Sequence, residues 1–405
     1  MIKDYFRISF SSFKNRKLRT ALTLLGIFIG IALLITLMSL GTGLENFITD
    51  QFEQMGSDKL MIMPGSSMFG SAVEGIELTK KDLEAVERTQ GVEAVTGALI
   101  KIAAVQHKDE TTYTWVLGTP MDTKSWEIFE SMSSALKIES GRKITDKDTS
   151  KVNIGIDVAT DKKLFDKGAK LGSKIAIEGK EFEVVGIFGR IGNPQDDSQI
   201  YLPMDVARDL FDEPDKYDMF VAQTKEGENP DKVAERVKKN LRKARDVKEN
   251  EEDFTIQSSE QLLESFGTIL AVIQAVLIGL ATISLLVGGV GIANTMYTSI
   301  LERTREIGAM KAIGAKTTDI ALLFIIESGL IGLGAGLVGV VIGALISLGI
   351  QSAIHMAGYS MLNVNLSFSL LLGGLAFAFV FGIVSGLIPA IKASRLKPVD
   401  ALRYE

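Results

Sequence analysis

The chain has no cysteine and only two histidines, and both shortages remove whole classes of chemistry. Without a thiol there is no disulfide framework, no thiolate nucleophile and no thiolate metal ligand. His107 and His355 lie far apart in sequence without a ligand partner at metal-binding spacing, so each reads as a structural or surface residue. The patterns G-x-S-x-G and H-E-x-x-H are absent. The fragments "GAKLGSK" and "GAKT" look like pieces of a phosphate loop, but G-x-x-x-x-G-K-[ST] is missing, so the chain has no nucleotide-binding motif of its own. "GNPQDDSQ", with Asp196 and Asp197, lacks the register of a calcium loop and reads as a loop tip. The most telling scarcity is of charge. Residues 20–44, 265–301 and 328–391 contain no Asp, Glu, Lys or Arg.

A helix needs roughly 20 apolar residues to cross a bilayer's hydrocarbon core. The first two tracts supply one crossing each, at 20–44 and 265–301. The third, with the residues leading into it, supplies two, at 319–350 and 367–391, around a link at 351–366. Hydrophobic residues make up 46% of the chain, and this uneven placement explains so high a share. Charge is equally uneven. Lys3, Arg7, Lys14, Arg16, Lys17 and Arg19 outweigh Asp4 before the first tract, and residues 265–405 are also net basic. The overall charge of −6 therefore places a net −13 on residues 44–264.

The flank "KNRKLRT", the loop 302–318 with Arg303, Arg305, Lys311 and Lys316, and the tail 392–405 are all basic, which puts them on the cytoplasmic side. Four crossings return the chain to its starting side, so both termini are expected in the cytoplasm and the acidic region 45–264 outside. An acidic outer domain argues against nucleic acid as a partner. The first tract is longer than a signal-peptide core and lacks a clear cleavage site, so it reads as an uncleaved helix. Within residues 1–19, Phe6, Phe10 and Phe13 recur at helical spacing beside Lys3, Arg7 and Lys14. This pattern predicts an amphipathic helix on the inner headgroup layer or on a protein partner.

Residues 45–264 mix strand and helix signals. "TKKDLEAVERTQ" reads as a helix capped by Thr79, and "SKIAIEGKEFEVVGIF" as a hairpin about Gly179 and Lys180. "PDKVAERVKKNLRKAR" reads as an amphipathic helix starting at Pro230. Strand–helix–strand units at the two ends are expected to share one sheet, with 121–211 as a β-rich insert lobe. The fold class is thus a membrane protein with four transmembrane α-helices, one before and three after a large extracytoplasmic α+β domain of two lobes. No catalytic constellation supports an outer enzyme.

Glycines recur every fourth residue in three crossings, as Gly26 and Gly30, Gly332 and Gly336, Gly339 and Gly343, and Gly382 and Gly386. Such spacing lets helix backbones approach closely in lipid, within one bundle or across a dimer seam. Glu327 stands near the inner edge of the third crossing, where it either pairs with a basic loop residue or snorkels. The strip "ERTREIGAMKAIGAK" has its own pattern. Ile307, Met310 and Ile313 form an apolar edge, Arg303, Arg305, Glu306 and Lys311 offer polar contacts, and Gly314 suits a helix C-terminal cap.

Taken together, "LRTALTLLGIFIGIALL", "VGGVGIANTMYTSILERTREIGAMKAIGAK", "FIIESGLIGLGAGLVGVVIG" and "GLIPAIKASRLKPVDALRYE" resemble the MacB/FtsX/LolC-type permeases of ABC transport systems. That resemblance implies a permease subunit, not an enzyme, paired with a second copy or paralogue and served by a separate cytoplasmic ATPase that binds the ATP and Mg. It also implies that 302–318 is a coupling loop, in which Arg303, Arg305, Glu306, Ile307, Met310, Lys311, Ile313 and Gly314 meet the ATPase. Motion would pass to the outer domain for export or extraction of amphipathic cargo, with an extracytoplasmic adaptor as a further partner. An FtsX-like signalling subunit that regulates an outer partner is the alternative.

Overall fold

The computed structural model describes residues 17–65, 76–132 and 136–402. The amphipathic helix expected in 1–19 lies outside them except at its last three residues. Among the described residues, four helices are long and apolar enough to cross a membrane. They are α1 (Lys17–Met55), α8 (Ser259–Glu302), α10 (Thr317–Met356) and α11 (Phe368–Ser394). Three of them outrun the expected spans. The 44 residues of α8 rise about 66 Å at 1.5 Å each, against a hydrocarbon core of about 30 Å. The start of charged sequence does not stop a helix, since Glu45, Asp50 and Glu53 simply point to solvent along α1. The helices stop where the backbone must turn left-handed, at Gly56 (φ +84°) after α1 and Gly358 (φ +101°) after α10.

The chain forms two compact units. One holds the membrane helices, with residues up to Glu45, Ile269–Ala353 and residues from Leu362. The other holds Asn46–Thr268 together with Ile354–Met361. The second unit contains β1 (Lys59–Pro64), β2 (Leu78–Thr79), α2 (Lys80–Glu87), β3 (Val92–His107), β4 (Glu110–Thr119), α3 (Thr123–Met132), β5 (Ile138–Gly141), β6 (Lys151–Ile154) and α4 (Ile156–Ala159). It continues through β7 (Lys174–Ile177), β8 (Lys180–Phe188), α5 (Pro194–Asp197), β9 (Ile200–Pro203), α6 (Met204–Phe211), β10 (Lys216–Tyr217), β11 (Met219–Thr224), α7 (Pro230–Arg245) and β12 (Phe254–Ser258).

The strands run β12-β1-β11-β3-β4-β9-β6-β8-β5, with β7 against β3 and β8. The 16-residue β3 explains the two lobes. Its first half pairs with β11, from Val92↔Thr224 to Ala98↔Met219, and its second half pairs with β4, from Leu99↔Gly118 to His107↔Glu110. The change of partner on β3 thus falls between Ala98 and Leu99. Alternating hydrophobicity marks β3 and β4 as strands, but only their mutual register assigns them to one lobe.

The first lobe packs α2 and α7 on its sheet. Val233, Val237 and Leu241 form a buried stripe at four-residue spacing facing Leu60, Val86 and Phe220. Asn229 caps α7 by accepting from Lys232 N at 3.0 Å, and Arg245 at its far end pairs with Asp82 at 2.9 Å and with Asp253. In the insert lobe Phe188 meets Tyr201 edge-on at 4.7 Å beside Trp126. Glu178 and Gly179, at φ +47° and +82°, give the two-residue turn whose twist suits a hairpin. Asp148 accepts both Arg142 Nη atoms, at 2.8 and 2.9 Å, and Thr145 N at 3.0 Å. The Arg142 guanidinium and these donors outweigh burial and hold its carboxyl well below the ordinary carboxylate range.

In the membrane unit the glycine spacings become helix seams. A Cβ at Gly26 would lie 2.9 Å from Gly288 Cα, and one at Gly30 would lie 2.8 Å from Leu285 Cγ, which closes α1 on α8. Gly339 and Gly343 meet Phe28 O and Ala32 O in the same way, at 2.8 and 2.7 Å, closing α10 on α1. Gly332, Gly336, Gly382 and Gly386 interleave with Ala378 and Ser328 between α10 and α11. All eight glycines lie in seams of this chain's own bundle. Lipid cannot drive helices together through hydrophobicity, and this close approach replaces it.

Candidate functional site

The charged strip folds into a short helix, α9 (Thr304–Ala312), separated from α8 by Arg303 alone. The corner is tight because Thr304 Oγ1 donates back to Ile300 O and Leu301 O, at 3.0 and 2.8 Å. Arg303 sits inside the corner. Its Nε donates to Glu306 Oε2 at 3.0 Å, its Nη1 donates to Glu327 Oε2 at 3.2 Å, and its guanidinium lies 5.8 Å from the Phe324 ring. Glu327 is buried on α10, so this pair fastens the start of α9 to the third crossing.

The expected apolar edge does not survive as one surface. Ile307 is fully buried with Ile300, Ile320, Phe324, Ala390 and Ala393, and Met310 packs against that cluster, while Ile313 is 88% exposed. The reason is geometric. The buried ladder of α8 at Ile292, Met296 and Ile300 continues through Thr304 into Ile307 and Gly308, so that side of α9 faces the bundle. Lys311 is likewise turned inward. Its Nζ donates to the carbonyls of Ser394 and of Leu396, the latter at 2.8 Å, and so caps the end of α11. α12 (Pro398–Leu402) packs on α9 with Ala401 buried.

At its end α9 closes in a left-handed cap. Gly314, at φ +102°, donates to Lys311 O at 3.1 Å, and Ala315 donates to Met310 O at 3.0 Å. The face left open to solvent is Arg305, Ala309, Ala312 and Ile313, spaced for one side of a helix, with Glu306 and Lys316 at its margins. Arg305, Glu306 and Ile313 of the expected site residues lie there. Arg303, Ile307, Met310 and Lys311 do not. Ala309 and Ala312 escaped the sequence reading, although their spacing from Arg305 was available. Two alanines beside a cation form a shallow face that a partner's groove can approach closely.

Comparison with known proteins covers both units. A model described as MacB-like periplasmic core domain matches residues 20–240, and one described as FtsX-like permease C-terminal matches residues 278–398. The chain is 38% identical to an uncharacterised ABC transporter permease of Methanocaldococcus jannaschii, covering all of this chain and 98% of that one. It is 31% identical to the uncharacterised ABC transporter permease YknZ of Bacillus subtilis, covering 99% of each. It is 28% identical to the macrolide export ATP-binding/permease protein MacB of Bdellovibrio bacteriovorus, covering 99% of this chain and 62% of that protein's length.

Proposed function

Since the chain belongs to the MacB/FtsX-type ABC transporter permeases, we propose that it couples a separate cytoplasmic ATPase to its outer domain, moving amphipathic cargo such as a peptide, lipid or lipoprotein. The observation that carries this reading is the two-sided α9. Its inner side is fastened to α10 through Arg303 and Glu327 and to α11 through Lys311, while its outer side offers Arg305, Ala309, Ala312 and Ile313. A helix so anchored converts a push on its open face into movement of two crossings. ATP and Mg belong to the ATPase subunit, and both termini lie in the cytoplasm by the distribution of basic residues.

Pairing with a second copy or paralogue is supported by α8. Val276, Leu280, Ile283, Val287 and Val290 are exposed at alternating four- and three-residue spacing, the repeat of helices that wind about each other. The test is purification of the complex from native membranes. Arg305→Glu with Ile313→Asp is expected to leave chain abundance and thermal unfolding unchanged but to lose the ATPase and the ATP hydrolysis that accompanies it. Retention of both would refute the docking face. Capture of a cell-wall hydrolase by the outer domain, without cargo, would favour the signalling alternative.

A further inference from the structure

Residues Ile354–Met361, the end of α10 and the first part of its link to α11, belong to the outer unit, where one loop of the insert lobe meets them. Ser360 N donates to Gly192 O across the contact and to Gly358 O within the link, each at 3.0 Å. A Cβ at Gly192 would lie 2.7 Å from both Ser360 Oγ and Met361 Cγ, and one at Gly358 would lie 2.7 Å from Pro194 Cγ. A side chain at either glycine would press on the side chains of Ser360, Met361 or Pro194, and both glycines sit at a left-handed φ, +92° and +101°. The receiving loop is preset from behind. Asp197, 1% exposed, accepts from Ile191 N at 2.6 Å and Gly192 N at 3.0 Å, with Arg190 at 3.6 Å. Asn193 donates to Asp196 at 2.9 Å and accepts from Gln195 N at 3.1 Å. Buried charge-assisted bonds of this kind hold a loop to one shape.

Chain connectivity divides the helices between the lobes. α1 leads into β1 and α8 leaves from β12, and these two strands are paired neighbours in the first lobe. The α10–α11 link meets the insert lobe through Ser360 and also meets α1, where Ser39 O accepts from Asn365 N at 3.2 Å and Gln51 Nε2 donates to Met361 Sδ at 3.2 Å, and α10 and α11 are the crossings to which α9 is fastened.

We propose that the α10–α11 link is a latch that drives the insert lobe, with the backbone of Ser360 as its contact and Asp197 as the residue that positions the Gly192 loop to receive it. The proposal rests on the ATPase-coupled reading above. Under it, a stroke at α9 reaches the insert lobe through this link, in addition to reaching the first lobe through α1 and α8, and the lobes move against each other.

The experiment uses the full chain with its ATPase, spin-labelled at Lys174→Cys in the insert lobe and Lys239→Cys in the first lobe. The absence of native cysteine keeps the labels at those sites. ATP is expected to change the interlabel distance in the parent. Ser360→Pro removes the donor N–H, and Gly192→Ala pushes the link away. Both are expected to lose the ATP-driven change while keeping the ATPase bound and hydrolysing, whereas Ser360→Ala keeps the change. A full distance change in Ser360→Pro and Gly192→Ala, or none in the parent, overturns the latch. Absence of any bound ATPase refutes the coupled reading instead. In that event amide exchange decides the contact, because a Ser360 amide that exchanges equally fast in the parent and in Gly192→Ala overturns the latch, and protection in the parent that Gly192→Ala removes supports it.

Discussion

Ile307 and Ile313 are the same residue type on the same short helix segment, and the structure assigns them opposite work. Ile307 has no exposed surface, and Ile313 is 88% exposed. Replacing Ile307 with Ala removes three buried carbons, worth about 2.5 kcal/mol at ~0.8 kcal/mol each. The loss rises toward ~5 kcal/mol if Ala390, Ala393 and Phe324 cannot close the space. Small neighbours such as Ala390 and Ala393 have little side chain with which to fill a void, which favours the upper part of that range. For a membrane unit of this size the loss lowers the unfolding midpoint by roughly 5–20 °C. Ile313→Ala is expected to shift stability by no more than ~0.5 kcal/mol, because an exposed side chain has little packing to lose. Thermal unfolding of both variants in one detergent, followed by fluorescence and by retention of monodisperse elution, measures the contrast. Equal midpoints, or a larger loss in Ile313→Ala, would show that the inward orientation of α9 is wrong.

Two further outcomes follow from the packing and the charges. Gly382→Val places side chain where Ser328 O would lie 2.6 Å from its Cβ. Because backbone cannot yield as a side-chain tip can, α10 and α11 must separate, and a loss of about 1–3 kcal/mol in detergent stability is expected, whereas Gly373→Ala, with open space around it, should be silent. Asp148 has a carboxyl depressed below its ordinary value of 3.8, chiefly by Arg142. Its contribution is therefore complete above that value and is lost as pH falls through the depressed one. Asp148→Asn is expected to destabilise the outer unit by about 1–3 kcal/mol near neutral pH and to flatten its acid unfolding. An unchanged acid limb would refute this.

The crossings were legible because charge is absent from long tracts, and the hairpin at Gly179, the cap at Thr79 and the helix start at Pro230 were legible because turns and helix starts depend on local residue chemistry. What escaped depends on distant partners. Lys311 in a basic loop reads as a surface cation, and nothing near it in sequence announces the carbonyls of Ser394 and Leu396. Asp197 reads as a loop tip, yet it lies at the end of a short helix, buried by donors from Ile191 and Gly192. The orientation of α9 was partly available. The ladder Ile292, Met296, Ile300, Thr304 extends into Ile307, and following it across the Arg303 corner separates the buried stripe from the open one.

The exchange of partners along β3 also sets where the outer unit can flex. Bending a strand inside a ladder breaks hydrogen bonds on both sides of the bend. Between Ala98 and Leu99 each half of β3 already belongs to a different partner, β11 on one side and β4 on the other. A hinge there would leave both ladders whole. Asp218 spans the joint: it donates its N–H to Ala98 O at 2.9 Å and accepts from Ile100 N at 2.7 Å. Asp218 and the packing of Ile128 and Phe129 on Ala98 and Val221 therefore decide how far the two halves can tilt about that joint.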